Sequence, residues 1–200
     1  MIMQKLSKIG LVLILGGLFV SGCGGTPDAP EDWKTYSNDE HGYSFAYPAD
    51  CFYGPMPADC KQKPPAERRQ ECLCFLNGEN TDEVFMQVFL GETDQLSLAM
   101  VSVSHYDTPV YHPPAGTELT DWVKVQFAEL FAEIPDGLNM EISGVPAVKL
   151  ISPQSPMAPS FEEIYFIHND VLLRISMLDV NNEDNKELYE RVLATFILEE

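Results

Sequence analysis

The sequence predicts an α+β domain, a mostly antiparallel β-sheet flanked by helices. Three observations predict it. Short runs in which apolar and polar residues alternate fill the first half of the chain. An apolar stripe at helical spacing then interrupts them. Two more alternating runs, each with its own turn signal, precede a closing amphipathic segment.

The N-terminus reads as targeting, not fold. Lys5 and Lys8 make the start basic, and Ile9 to Val20 is almost wholly apolar. That run of roughly 12 residues is shorter than the 18 or so a membrane-spanning helix needs, and it matches a signal-peptide core. Val20, Ser21, Gly22 and Cys23 then resemble the lipobox of bacterial lipoprotein signal peptides. The resemblance implies that the Cys23 thiol takes a diacylglyceryl group and that the peptide is cut before it. Each buried methylene of such chains contributes about 0.8 kcal/mol, so several long chains anchor stably in a bilayer. Gly24 stands where an aspartate commonly retains such proteins in the inner membrane. The expected place is therefore the cell envelope, at the outer membrane facing the periplasm if the cell is Gram-negative. Residues 1–22 are thus read as signal peptide, 23–32 as a Gly/Pro/Asp-rich tether, and 33–200 as one domain.

The first strands are Trp33 to Tyr36 and Tyr43 to Pro48, the latter alternating aromatic and small residues. Glu71 to Leu76, Glu83 to Leu90 and Leu96 to Ser104 follow. Tyr106 to Thr117 carries three prolines and is expected to be a loop. Leu119, Trp122, Val123, Phe127, Leu130, Phe131 and Ile134 form one helical stripe. Thr117 or Thr120 can cap it, Asp121 suits its first turn, and Pro135 with Gly137 stops it. Asn139 to Ser152 reads as a hairpin turning near Gly144, and Phe161 to Val180 as another turning at His168 to Asp170. The last helix runs from about Glu183 to Phe196, burying Leu188, Val192, Leu193, Phe196 and Ile197. All strands are expected around one sheet.

The stretch "WKTYSNDEHGYSFAYPAD", the helix with Trp122, "ISGVPAVKL", the hairpin ending in "RISM" and the closing "LATF" together resemble the Mog1/PsbP fold, including its DcrB-like lipoproteins. The resemblance spans about residues 33 to 197 and implies an α/β/α sandwich. Family members are mainly non-catalytic adaptors, so it implies binding rather than turnover. This chain departs from the pattern after "YP", where Cys51 and a cysteine-bearing loop stand in place of a frequent tryptophan.

Charge narrows the partners. The formal charge of −19 becomes two units more negative once Lys5 and Lys8 are removed. Such a chain is repelled by phosphate backbones and anionic headgroups, which excludes nucleic acid as a partner. Of the five cysteines, Cys51, Cys60, Cys72 and Cys74 remain beside Cys23, an even set that reads as disulfides in an exported chain. Cys72 and Cys74 would share one strand face, so the favoured pairings join Cys51 and Cys60 to Cys72 and Cys74 in either order. A metal site or a C-x-C redox pair is the alternative use of these thiols, with no histidine at ligand spacing.

Candidate site residues are few. Asp179, Asn181, Glu183 and Glu190 stand at oxygen-ligand positions of a 12-residue calcium loop. Asp184 occupies the place that needs glycine, which favours a helix-capping turn there instead. His105 and His112 flank the Pro-rich loop near Asp107, and no nucleophile elbow accompanies them. They are expected to be exposed loop residues, as are His41 and His168 in turns. Phe52 and Tyr53 in the cysteine loop, and Tyr106, Tyr111 and His112 in the Pro-rich loop, are stiffened aromatics suited to a partner. The expectation is a non-catalytic, cofactor-free module for an unidentified envelope protein, tethered through acylated Cys23. A small-ligand or Ca²⁺-binding lipoprotein is the alternative.

Overall fold

Alternation becomes strand wherever one face can be buried. The computed structural model describes residues 29–55, 58, 60, 74–78, 83–90, 97–106, 113–127, 139–155 and 159–199. Its strands are β1 (Trp33–Asn38), β2 (Tyr43–Pro48), β3 (Phe52–Tyr53), β4 (Cys74–Asn77), β5 (Glu83–Leu90), β6 (Ser97–Tyr106), β7 (Met140–Ile142), β8 (Val145–Ser152), β9 (Phe161–His168), β10 (Val171–Leu178) and β11 (Ile197–Leu198). Two helices lie among the described residues, α1 (Leu119–Phe127) and α2 (Glu183–Ala194). The class is α+β with mostly antiparallel sheet, and among the described residues no helix is long and apolar enough to cross a membrane.

The strands form two sheets rather than the single one expected. Eight run in the order β3-β4-β5-β6-β10-β9-β8-β7, antiparallel except for β3 on β4. The other three, β1-β2-β11, make a small antiparallel sheet. Its centre, β2, is buried from Tyr43 to Tyr47, which an edge or half-exposed strand would not be. The physical reason is at the C-terminus. After α2 the chain returns to pair β11 with Tyr43 and Ser44, and buried Thr195 Oγ1 accepts from Ala46 N at 2.9 Å. That long-range closure leaves no sequence-local trace.

The main core fills the space between the two sheets. Tyr36, Tyr43 and Phe45 of the small sheet meet Met86, Val101, Leu173 and Ile175 of the large one, with Leu188, Val192 and Phe196 closing the side. Phe196 stacks on Tyr43 and Phe45 at 5.4 and 5.9 Å between centroids. Leu193 and Ile197, expected inside, are only partly buried. On the opposite face of the large sheet, Trp122 and Val123 of α1 pack on Val148, Leu150, Tyr165 and Leu172. Thr120 lies inside α1 and not at its cap, because the helix already begins at Leu119 and Trp122 N donates to Glu118 O. Leu130, Phe131, Ile134, Pro135 and Gly137 fall outside the described residues.

The hairpin turns carry the residues their geometry demands. Asn169 and Asp170 both take positive φ, 49° and 61°, as a two-residue turn between right-twisted strands requires. Ser143 and Gly144 do the same at 48° and 80°.

Helix α2 is fixed to the sheet by one buried amide. Asn182 caps the helix, its side chain accepting from Asp184 N and Asn185 N. Asn185 is fully buried, and its Nδ2 donates to Leu98 O at 3.1 Å and Asp179 O at 3.3 Å. Asn185→Ala removes both donations, leaving Asp179 O with its bond from Asn182 N, and empties a fully buried position, so it is expected to destabilise by about 2 kcal/mol. Urea denaturation checks this; Asn185→Ala unfolding at the wild-type midpoint would refute it.

Alkaline stability follows from the buried phenols. Burial pushes the Tyr189 hydroxyl up to about 12, and pushes Tyr43 and Tyr165 up as well. Each native phenol therefore keeps its proton at a pH where the unfolded one has lost it. Stability is full below pH 10, the ordinary tyrosine value, and falls from there to about 12. Unfolding free energy measured across that window should drop, with Tyr189→Phe flattening the slope; a flat wild-type profile would contradict it.

Candidate functional site

The aromatic edge of the large sheet is built from a covalent staple outward. Cys51 and Cys74 form a disulfide across 4.5 Å between Cα atoms, one of the pairings the spacing favours. Cys60 is buried and disulfide-bonded too, and Cys72 lies outside the described residues. The staple lays Phe52 beside Phe75 and Tyr53 beside Leu76, and Gly54 N donates to Leu76 O at 2.8 Å. Gly54 has φ +132°, and a Cβ there would meet the Phe52 ring at 3.1 Å. A Cβ on Gly78 would meet the Tyr36 ring at 2.5 Å, so only glycine lets that ring lie against the backbone. Tyr36 in turn stacks under Tyr53 at 6.4 Å. The outcome is a rigid two-residue edge strand with Phe52 42% and Tyr53 50% exposed.

Phe52 continues into one face of the large sheet. Strand register places Phe75, Phe85, Met100, Ser102, Ser176 and Glu163 on that face, beyond the part that α1 covers. Arg174 sits at its middle, 3.6 Å from Glu163, and donates to Ser104 Oγ at 3.0 Å. Its guanidinium lies over the Tyr106 ring at 5.5 Å. Glu163 also accepts from Tyr165 Oη at 2.5 Å and Ser176 Oγ at 3.3 Å. Burial raises the Tyr106 hydroxyl, and the Glu163 and Glu83 carboxylates add to the rise while Arg174 opposes it. A pocket of about 210 Å³ lies on one side, walled by Phe85, Met100, Phe161 and Leu178. A second of about 120 Å³ lies under α1 between Trp122, Phe127 and Tyr165. Glu163 thus holds Arg174, Tyr165 and Ser176 together, while Arg174 also reaches Ser104 and Tyr106.

The described histidines and Tyr106 sit differently from the sequence expectation. His105 is not an exposed loop residue but part of β6, 6% exposed, with Nε2 2.8 Å from Tyr43 Oη. His41 is 5% exposed, and its ring stacks on His105 at 4.0 Å. Strand parity carried this signal: Val101, Val103 and His105 share the inward face once β6 is extended to Tyr106. Tyr106, expected in the Pro-rich loop, is that strand's last residue on the opposite face. His168 ends β9, with Nε2 3.0 Å from Gly42 O. Asp107, Tyr111 and His112 lie outside the described residues.

No calcium loop forms at Asp179 to Glu190. Glu183 and Glu190 are both in α2, two turns or about 10 Å apart, and Asn182 caps the helix while Asn181 is exposed. Asp179 takes φ 55° at the turn out of β10. The four residues of that candidate set are not brought together. Asp50, Cys51 and Cys74 do converge, but the two sulfurs are bonded to each other and cannot ligate a metal.

No family model and no curated protein matches the chain. A crystal structure from Bacteroides thetaiotaomicron VPI-5482 is similar at 11% identity and a TM-score of 0.39, over 84% of this chain and 49% of that one. The chain thus spans about half the length of that structure.

Proposed function

We propose that this chain is a lipid-anchored envelope protein whose single domain, of Mog1/PsbP-like sandwich form, acts as a non-catalytic protein-binding or assembly module. The observation that carries the reading is the β3 edge, where Phe52 and Tyr53 face solvent on a strand held by the Cys51–Cys74 disulfide. Stiff aromatics bind a partner with little loss of conformational freedom, and β3 is the edge strand of its sheet among the described residues, where a partner strand can add backbone hydrogen bonds. The Val20-Ser21-Gly22-Cys23 motif supports the anchor, and the acidic charge supports a partner that is not nucleic acid. Antiparallel sheet with helices on opposite faces supports the sandwich.

In-cell crosslinking with mass spectrometry on the lipoprotein, beside a Cys23→Ala control, tests it. One envelope protein should be recovered through Phe52 and Tyr53, and only with the anchor intact. Recovery of nothing specific would refute the reading. A small apolar ligand is the second reading, favoured by the 210 Å³ pocket against Glu163. Ligand-dependent thermal stabilisation would support it.

A further inference from the structure

Resting on the reading of this domain as a protein-binding module, we propose that the groove between α2 and the start of β1 docks a cationic peptide segment carrying a large apolar side chain. The groove is open to solvent and has a volume of about 480 Å³, within the range of concave ligand sites and roomy enough for a large side chain. Its floor is apolar: Trp33, Pro48, Leu90 and Leu188. Its rim is the exposed side of α2, with Asp184, Glu187 and Arg191.

Charge decides what fits. Arg191 is paired with Glu187 one turn away, and both side chains are more than half exposed, at 52% and 64%. Such an exposed pair contributes little, so a partner's lysine or arginine can displace Arg191 from Glu187 at small cost. Asp184 in the first turn of α2 offers a second carboxylate beside it. The formal charge of −19 draws a basic segment to this rim and repels an acidic one. The apolar floor then supplies the buried anchor around which binding energy concentrates.

Position adds a constraint. Trp33 opens β1 directly after the tether, so the groove lies where the chain departs toward Cys23. Residues 24–32 reach at most about 30 Å when extended. Under the lipid-anchor reading, the docked segment is one that lies close to the bilayer.

Trp33 and Trp122 are the only tryptophans, and they belong to opposite faces of the large sheet. Two full-length chains in detergent therefore separate the groove from the rest: Trp122→Phe reports on Trp33, and Trp33→Phe reports on Trp122. The probe is a short peptide alternating leucine with lysine; its control alternates leucine with glutamate. The lysine peptide should shift Trp33 emission saturably and leave Trp122 unchanged. Asp184→Lys with Glu187→Lys should weaken that binding about tenfold, and Glu187→Lys alone, beyond the first turn, should act in the same direction. Equal effects of both peptides, no effect of either, an equal response at Trp122, or no loss on charge reversal would each overturn the proposal. Photo-crosslinkers placed at positions 187 and 53 in cells separate the two readings. Adducts from 53 without 187 overturn the groove and leave the module; adducts from neither overturn both.

Discussion

Replacing Cys51 and Cys74 together by serine should lower the unfolding free energy by roughly 3 kcal/mol. The bond closes a segment of 23 residues, and the entropy the unfolded chain regains on losing that link sets this magnitude. Both positions are almost fully buried, at 4% and 2% exposure, so each serine hydroxyl also loses water in the folded state. The loss should be concentrated at the sheet edge. β3 is two residues long and among the described residues pairs only with β4, so the staple is a large part of what holds Phe52 and Tyr53 in place. Urea denaturation should show a lower midpoint, and hydrogen exchange should show early opening at Gly54 N, which bonds Leu76 O. An unchanged midpoint would mean that the edge is held by packing alone. Crosslinking through Phe52 and Tyr53 should fall in the same variant, because the aromatics would no longer be presented in one conformation.

Cys23→Ala is the second large effect. Wild-type chain grown with labelled fatty acid should carry the label in its envelope fraction, and the alanine variant should carry none. The anchor chemistry needs the thiol sulfur as its point of attachment, and no neighbouring residue from Val20 to Thr26 offers another thiol. Several acyl chains at about 0.8 kcal/mol per methylene make the wild-type attachment stable, so the change should be near complete rather than graded. Label persisting in the alanine variant would refute acylation at Cys23 and the envelope tether with it.

Local physics made most of the fold legible. β2 and β5 occupy the stretches that alternation predicts, and both late hairpins turn at the expected residues. Turn chemistry is local, since Asn169, Asp170 and Gly144 tolerate positive φ without help from elsewhere. The capping reading of Asp179 to Glu190 rested on equally local evidence, and Asn182 performs that cap. The exposed aromatics Phe52 and Tyr53 could be named from composition, but their rigidity could not. It comes from a cysteine 23 residues away and a glycine, Gly78, that lets Tyr36 support Tyr53.

Histidines mark the limit. His41 and His105 look alike in sequence, polar residues beside turn or loop signals. The structure buries both and stacks their rings, with Tyr43 bonded to His105. Strand parity hinted at His105, because it falls two residues beyond Val103. Nothing local hinted at His41, whose burial depends on β6 lying against the turn before β2.

By itself, then, the sequence determined most of the longer strands, the two late hairpin turns, the cap of α2 and the acidic charge, because each depends on neighbours a few residues away. The tertiary structure alone decided that β1, β2 and β11 leave the main sheet, and that Arg174 meets Glu163 and Ser104 across three strands. It also decided that Trp33 faces α2 across a groove. Those arrangements join residues tens of positions apart, and their free energy comes from burying surface that exists only after the sheets have packed.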